Sequence, residues 1–197
     1  LRPVVRHGSR DGQAAQIGAH REQYGDRPAQ ITCVPAGRCH HANAQALQQA
    51  LSAVGIKTTL HGYPSATYFT NFAGVPKYMA AHNIGIAFGG WGADWPDGYG
   101  FLDELVAGNT IVPAGNTNIG MLNDPVVNNL FSKAAGITDA NQRNAIWGQI
   151  DKQVMKDAVI VPIVYAKALI YRPSTLTNVY FNQAYQADNY AVMGLTG

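Results

Sequence analysis

Between Ile31 and Leu60 the hydrophobic period changes twice, and this limits the folds open to the chain more than any other feature. Ile31 to Pro35 is an apolar run of strand length. Residues 42 to 54 then place Ala44, Leu47, Leu51 and Val54 at spacings of 3, 4 and 3, one face of a helix. Gly55 stands where a left-handed helix cap is wanted. Ile56 to Leu60 alternates apolar and polar residues, as a half-buried strand does. Strand, helix and strand in succession make a βαβ unit, whose two strands run parallel through a right-handed crossover. A unit of this kind belongs to the α/β class.

Downstream, Tyr63-Pro64-Ser65 starts a short helix through Tyr68 and Phe69, Asn71 to Val75 reads as a loop, and Pro76 to His82 as another short helix. Ile84 to Phe88 is the next strand, and it runs into Gly89-Gly90-Trp91-Gly92-Ala93-Asp94-Trp95-Pro96-Asp97. Glycines let a backbone approach a neighbouring molecule where a β-carbon would clash. Tryptophans supply flat apolar walls, and an aspartate among them accepts hydrogen bonds from a cation. Two readings stay open from these residues alone: the lip of a binding site, or a strand exit closed by a Pro96-Asp97-Gly98 turn.

Tyr99 to Val106 reads as a helix stopped by Gly108, followed by an irregular stretch from Asn109 to Asn123 that is either a ligand-facing or a plain surface loop. Asp124 is an N-cap with Pro125 at the first helical position, and Gly136 ends that helix. Its inner face is Val126, Val127, Leu130, Phe131 and Ala134. A further helix runs from Thr138 or Asp139 to about Lys156. Ile146, Trp147, Ile150 and Val154 form its buried stripe, with Arg143, Asp151, Lys152 and Lys156 facing water. Trp147 falls on that stripe and is therefore core. Val159 to Tyr165 is an apolar strand interrupted by Pro162, which argues for an edge or an irregularity. Ala168 to Tyr171, Val179 to Phe181 and Tyr190 to Met193 are further short strands, giving a β-rich C-terminal tail.

A hydrophobic content of 47% with 13% charged residues describes a globular chain, and a net charge of +2 excludes an electrostatic case for nucleic acid or an anionic membrane. The distribution says more. No Lys or Arg lies between Lys77 and Lys133, yet that segment holds Asp94, Asp97, Asp103, Glu104 and Asp124. If those acids share a cleft, the cleft prefers cations. Cys33 and Cys39 enclose five residues and either close a disulfide loop or stay as thiols. With His40 and His41 beside them, their spacing matches none of the usual zinc patterns. No run reaches membrane-spanning length. As an enzyme the chain offers only Asp94 with Asp97, or Asp103 with Glu104, as carboxylate pairs, and neither spacing converges on one point. No nucleophile elbow, phosphate loop or zinc-protease motif accompanies them.

Several of these motifs, taken in order, resemble family 5 extracellular solute-binding proteins, the peptide- and nickel-type receptors of ABC importers. Leu51 to Ile56 is similar to the family's "L…GI" unit. Gly90-Trp91-Gly92-Ala93-Asp94-Trp95-Pro96-Asp97 resembles its "GWxADYPDP" signature, and Asn123 to Val127 its "NPxVD" helix start. Asp157 to Ile163 resembles its "DAPxIPL" strand. Gly98 and Val159 stand where the family has proline, Asn128 replaces an acid, and residues 1 to 29 do not resemble the family's lead-in.

The resemblance implies a periplasmic-binding-protein-like α/β fold of the class II or cluster C type. Residues 1 to 29 would be an arm or linker, residues 30 to 158 a ligand-binding lobe, and residues 159 to 197 strands returning toward a second lobe largely outside this chain. It implies a C-terminal portion of a longer extracytoplasmic receptor, periplasmic or at the cell surface, with a lipid anchor as one form of attachment. The receptor would be a monomer that captures peptides or similar small solutes and delivers them to a membrane permease. No cofactor, metal or nucleic-acid partner is expected. Ligand contacts fall on Gly90, Trp91, Gly92, Ala93, Asp94 and Trp95, with Asp94 pairing with the α-amino group. The alternatives are a stable piece without binding of its own, and a carboxylate-dependent hydrolase.

Overall fold

The computed structural model describes residues 29–33, 38–165, 169–182 and 187–196. The side chains of Cys33, Cys39, His40 and His41, on which the disulfide and zinc readings turn, lie outside the described residues, as do residues 1 to 28. Two compact units emerge: Leu1–Thr67 with Lys77–Phe88, and Tyr68–Pro76 with Gly89–Gly197.

In the first unit, β1 (Ala29–Cys33), β2 (Thr58–Gly62) and β3 (Ile84–Ala87) form a parallel sheet in the order β2-β1-β3. Helix α1 (Arg38–Ala53) makes the crossover expected between β1 and β2. Ile31, Ala44 and Phe88 are its buried centre, with Leu47, Leu51, Leu60 and Ile86 packed against them. Gln48 Nε2 donates to the Thr58 carbonyl at 2.8 Å, tying α1 to the first residue of β2. Val54, placed on the inner face by the periodicity, is instead 68% exposed. The helix has already ended there: the Gly55 N–H donates to the Ser52 carbonyl and the Ile56 N–H to the Leu51 carbonyl, with Gly55 at φ +85°. This left-handed closure uses residues 55 and 56, so β2 begins at Thr58 rather than at Ile56. Helix α2 (Pro76–Ala81) then leads to β3.

The second unit includes Tyr68–Ala73, one wide π-type turn where the sequence reading ended a helix at Phe69 and began a loop. Its core is helical, built from α3 (Tyr99–Val106), α4 (Pro125–Ala135) and α5 (Ala140–Asp157). Val106, Leu122, Val127, Phe131, Ile146, Trp147, Ile150 and Val154 are buried together. Asp124 caps α4, accepting from the Val126 N–H at 2.7 Å, and Asp139 caps α5, accepting from the Gln142 N–H at 2.8 Å. Burying about 100 Å² of a large apolar side chain contributes roughly 2.5 kcal/mol, so each member of this cluster stabilises the unit appreciably. Val126 lies outside the face assigned to it and is 52% exposed. It follows Pro125 in the first turn of α4, before the helix packs down at Val127.

The tail departs most from expectation. Val159 to Tyr165 forms no strand; Val159 and Ile160 pack on the helical core, but Val161, Val164 and Tyr165 stand exposed. A strand needs a partner for its backbone groups, and among the described residues no strand pairs with this segment. Residues 169 to 171 are likewise exposed and irregular. The pairs that do form are two residues long: β4 (Leu176–Thr177) with β7 (Gly194–Leu195), and β5 (Phe181–Asn182) with β6 (Ala187–Asp188), all antiparallel. Tyr190–Val192, expected as a strand, is a tight 3-10 turn capped by Asn189.

Candidate functional site

The segment after β3 divides its two aspartates between different tasks. Asp97 is turned inward. Arg143 donates to its Oδ2 from Nε at 2.9 Å and from Nη2 at 2.7 Å, and the Tyr99 N–H donates to its Oδ1 at 2.9 Å. Burial alone would raise this carboxyl, but the Tyr99 N–H and the Arg143 guanidinium outweigh it and hold Asp97 below the usual carboxylate range. The buried Trp147 Nε1–H adds a small lowering from nearby, although it meets no acceptor at hydrogen-bond geometry. Asp94 is the opposite case. It is exposed, and no hydrogen bond or ion pair engages its carboxylate among the described residues.

The glycines around Asp94 have no internal explanation. A β-carbon at Gly90 or Gly92 would meet nothing within 4 Å, and neither residue has a positive φ. Neither packing nor backbone conformation within the described residues demands glycine there. The flanking tryptophans are partly fixed and partly offered to solvent. Trp91 is 38% exposed and donates from Nε1 to the Gly100 carbonyl at 3.4 Å. Trp95 is 42% exposed, stacks on Tyr99 at 6.0 Å and covers Gly100 closely enough that a β-carbon there would lie 3.1 Å from the indole. Ala93 is half-buried between them in sequence. The six expected ligand residues thus form one mostly exposed stretch held at its tryptophans.

A shallow groove of about 290 Å³ beside this stretch is lined by Trp95, Asp97, Tyr99, Ile137, Arg143 and Trp147, among others, and Asp94 is not part of it. The second candidate loop, from Asn109 to Asn123, is built from structural amides. Asn118, fully buried, donates to the Ala107 and Leu122 carbonyls at 3.0 and 2.9 Å and accepts from the Leu122 N–H at 2.9 Å. Asn116, also buried, donates to the Asn118 carbonyl at 2.7 Å and accepts from the Val112 N–H at 3.3 Å. These side chains replace backbone partners that a loop lacks.

Sequence reading placed Arg143 in water and did not foresee its pairing with Asp97. One signal was available: Arg143 stands near the N-terminal end of α5, the positive end of the helix dipole, where a cation is unfavourable without an acid beside it. The engagement of Asp97 also removes it from a carboxylate pair with Asp94. A lowered pKa is the wrong direction for a general acid.

The family model described as bacterial extracellular solute-binding proteins, family 5 middle, matches residues 10–112, more than half of the chain. The chain belongs to this solute-binding family. The match takes in both the βαβ unit and the Gly90–Asp97 segment, and reaches upstream into residues for which sequence motifs gave no assignment. The periplasmic oligopeptide-binding protein OppA of Escherichia coli K12 is 29% identical over 80 residues, covering 41% of this chain and 14% of OppA. OppA of Salmonella typhimurium is 26% identical over 109 residues, 51% of this chain and 19% of that protein. Among solved structures, clavulanic acid biosynthesis oligopeptide binding protein 2 superposes with a TM-score of 0.83 at 34% identity, over 97% of this chain and 34% of its own length. The Helicobacter pylori periplasmic binding protein DppA, in complex with the peptide STSA, gives 0.58 at 22% identity over 74% of this chain and 27% of its own. The fold is therefore the α/β fold of the solute-binding family, and the chain spans about a third or less of each relative. Among the described residues no helix is long and apolar enough to cross a membrane.

Proposed function

We propose that this solute-binding chain serves in the substrate-binding component of an ABC importer, capturing peptides or similar small solutes outside the membrane for delivery to the permease. The observation that carries the reading is the unpaired Asp94 carboxylate on a glycine-rich, tryptophan-flanked segment. An ammonium group placed there gains a charge-assisted hydrogen bond, about twice as strong as a neutral one. Gly90 and Gly92 leave room for a ligand backbone to lie close, in the manner of strand addition. Trp91 and Trp95 wall the segment. Relatives named for oligopeptide binding support peptides as the solute class. A hydrolase reading has no support in these relatives, and Asp97 is committed to Arg143.

In this reading residues 30 to 158 supply one side of the ligand clamp, and residues 159 to 197 return toward a second lobe whose contacts complete it. The relatives' greater length supports that division. Titration of the 197-residue chain with tri-alanine, followed by amide NMR, should show weak binding with shifts concentrated at Gly90 to Trp95. N-acetylation of the peptide or Asp94→Asn should abolish those shifts. Equal shifts with the acetylated peptide would remove Asp94 from its role as amine anchor. Tight tri-alanine binding by calorimetry would contradict a clamp shared with a second lobe.

A further inference from the structure

Asp94 and Asp97 stand three positions apart, yet one is closed off by a guanidinium and the other is open. We propose that Arg143 is a positioning residue: by gripping Asp97 it fixes the Gly90–Trp95 segment in the pose that presents Asp94 to a ligand amine. The proposal rests on the reading of Asp94 given above and adds the device that holds it in place.

The grip runs from a rigid base to the loop without a gap. Arg143 is carried by α5, whose Ile146, Trp147, Ile150 and Val154 are buried in the helical core. Its guanidinium is itself fixed, since Nη1 donates to the Ile137 and Thr138 carbonyls at 3.0 and 3.2 Å while Nε and Nη2 meet Asp97. Asp97 is held through both oxygens, one by Arg143 and the other by the first N–H of α3. From Asp97 the hold passes back along the loop. The Asp97 N–H donates to the Trp95 carbonyl at 2.8 Å, and the Trp95 ring stacks on Tyr99. Trp91 is tied to Gly100 through its indole N–H. Residues 91, 95 and 97 are thus anchored, and Asp94 lies within that anchored span without sharing in it.

A second effect follows from charge. Arg143 reaches this loop from α5, outside the stretch between Lys77 and Lys133 that supplies no Lys or Arg of its own. Occupied by Asp97, its fork is not free to neutralise Asp94. A carboxylate kept solvated and unpaired is one that a ligand ammonium can claim. A bidentate guanidinium grip is also specific in geometry, which lysine reproduces only in part.

The test uses the whole 197-residue chain and two readouts, amide hydrogen exchange and tri-alanine titration by NMR. In Arg143→Met the Asp97 and Tyr99 amides should exchange about 10-fold faster, as loss of a charged hydrogen bond implies, and the tri-alanine shifts at Gly90 to Trp95 should fall away. Amides in the centre of α4 should keep their protection. Asp97→Asn, which leaves the Arg143 bonds to Ile137 and Thr138 in place, should loosen the same two amides. Arg143→Lys should restore part of the protection and part of the peptide response. Unchanged exchange at Asp97 and Tyr99, or an equal rise throughout α4 and α5, would overturn the positioning role. If the loop loosens as stated but Asp94→Asn leaves the tri-alanine shifts intact, the fault lies in the reading of Asp94, and Arg143 fixes the loop without serving an amine site.

Discussion

Gly98 packs directly against Trp147 of α5, and alanine at that position tests how tightly loop and helix fit. The backbone there has φ −60° and ψ −24°, open to any residue, so conformational strain plays no part. Space does. A β-carbon at Gly98 would lie 2.6 Å from both Cδ1 and Cγ of Trp147 and 3.0 Å from its Cβ. Carbon atoms in contact prefer about 3.5–4.0 Å, so something must yield by about 1 Å. Trp147 has little freedom to do so: it is 6% exposed, with Phe131 at 5.9 Å and Tyr99 at 6.2 Å between ring centres. Overpacking of this kind costs about 1–3 kcal/mol. Replacing glycine recovers up to about 1 kcal/mol through the unfolded chain. Gly98→Ala should therefore destabilise by up to about 3 kcal/mol, read as a lower urea midpoint at unchanged slope. Gly148→Ala is the matching control, because Gly148 lies within exposed α5 surface with nothing within 4 Å of its β-carbon. It should stabilise by about 0.5–1 kcal/mol. In a Trp147→Leu background the penalty at Gly98 should shrink, since the offending ring is gone. If Gly98→Ala matched Gly148→Ala in sign, the close packing of loop on α5 would be refuted.

Two further outcomes concern charge. Asp97 binds its proton less readily folded than unfolded, so its stabilising effect is complete above the ordinary carboxylate value of about 4 and is lost as pH falls through the lowered folded value. Thermal unfolding followed from pH 7 to pH 2 should show a steeper acid decline in the natural chain than in Asp97→Asn. In the tail, Arg172 donates to both oxygens of Asp188, at 3.0 and 2.6 Å, and Asp188 is almost wholly buried. Arg172→Met would leave that carboxylate buried and unpaired, so amide exchange around β5 and β6 should rise on the order of 10-fold while the helical core is unaffected.

What could be read from the sequence was set by how locally each feature is determined. The 3, 4 spacing of Ala44, Leu47 and Leu51 in α1, the Asp124-Pro125 start of α4 and the Ile146-Trp147-Ile150-Val154 stripe are written within one element, and all of them form. So does the parallel pairing of β1 and β2, because a helical crossover of that length leaves little alternative. Val54 failed because the period does not say where a helix stops, and the Gly55 closure came first. Arg143 failed because its partner is 46 positions away, and no spacing rule connects them. Val159 to Tyr165 failed for a third reason. Its β-branched residues express a preference that a paired strand must complete, and among the described residues no strand pairs with it. At the candidate site the composition of Gly90 to Asp97 was legible, whereas the division of labour between Asp94 and Asp97 depends on α5 and was not.

The exposed run at Val161, Ile163, Val164 and Tyr165 bears on how the chain behaves at high concentration. An uncharged, β-branched window is the kind of segment through which copies of a protein stack edge to edge into fibrils. Pro162 sits inside it. Having no N–H to donate and a fixed φ, it interrupts any continuous ladder that a second copy would build on this run. The same proline that keeps the segment from reading as a regular strand therefore acts as a gatekeeper of solubility.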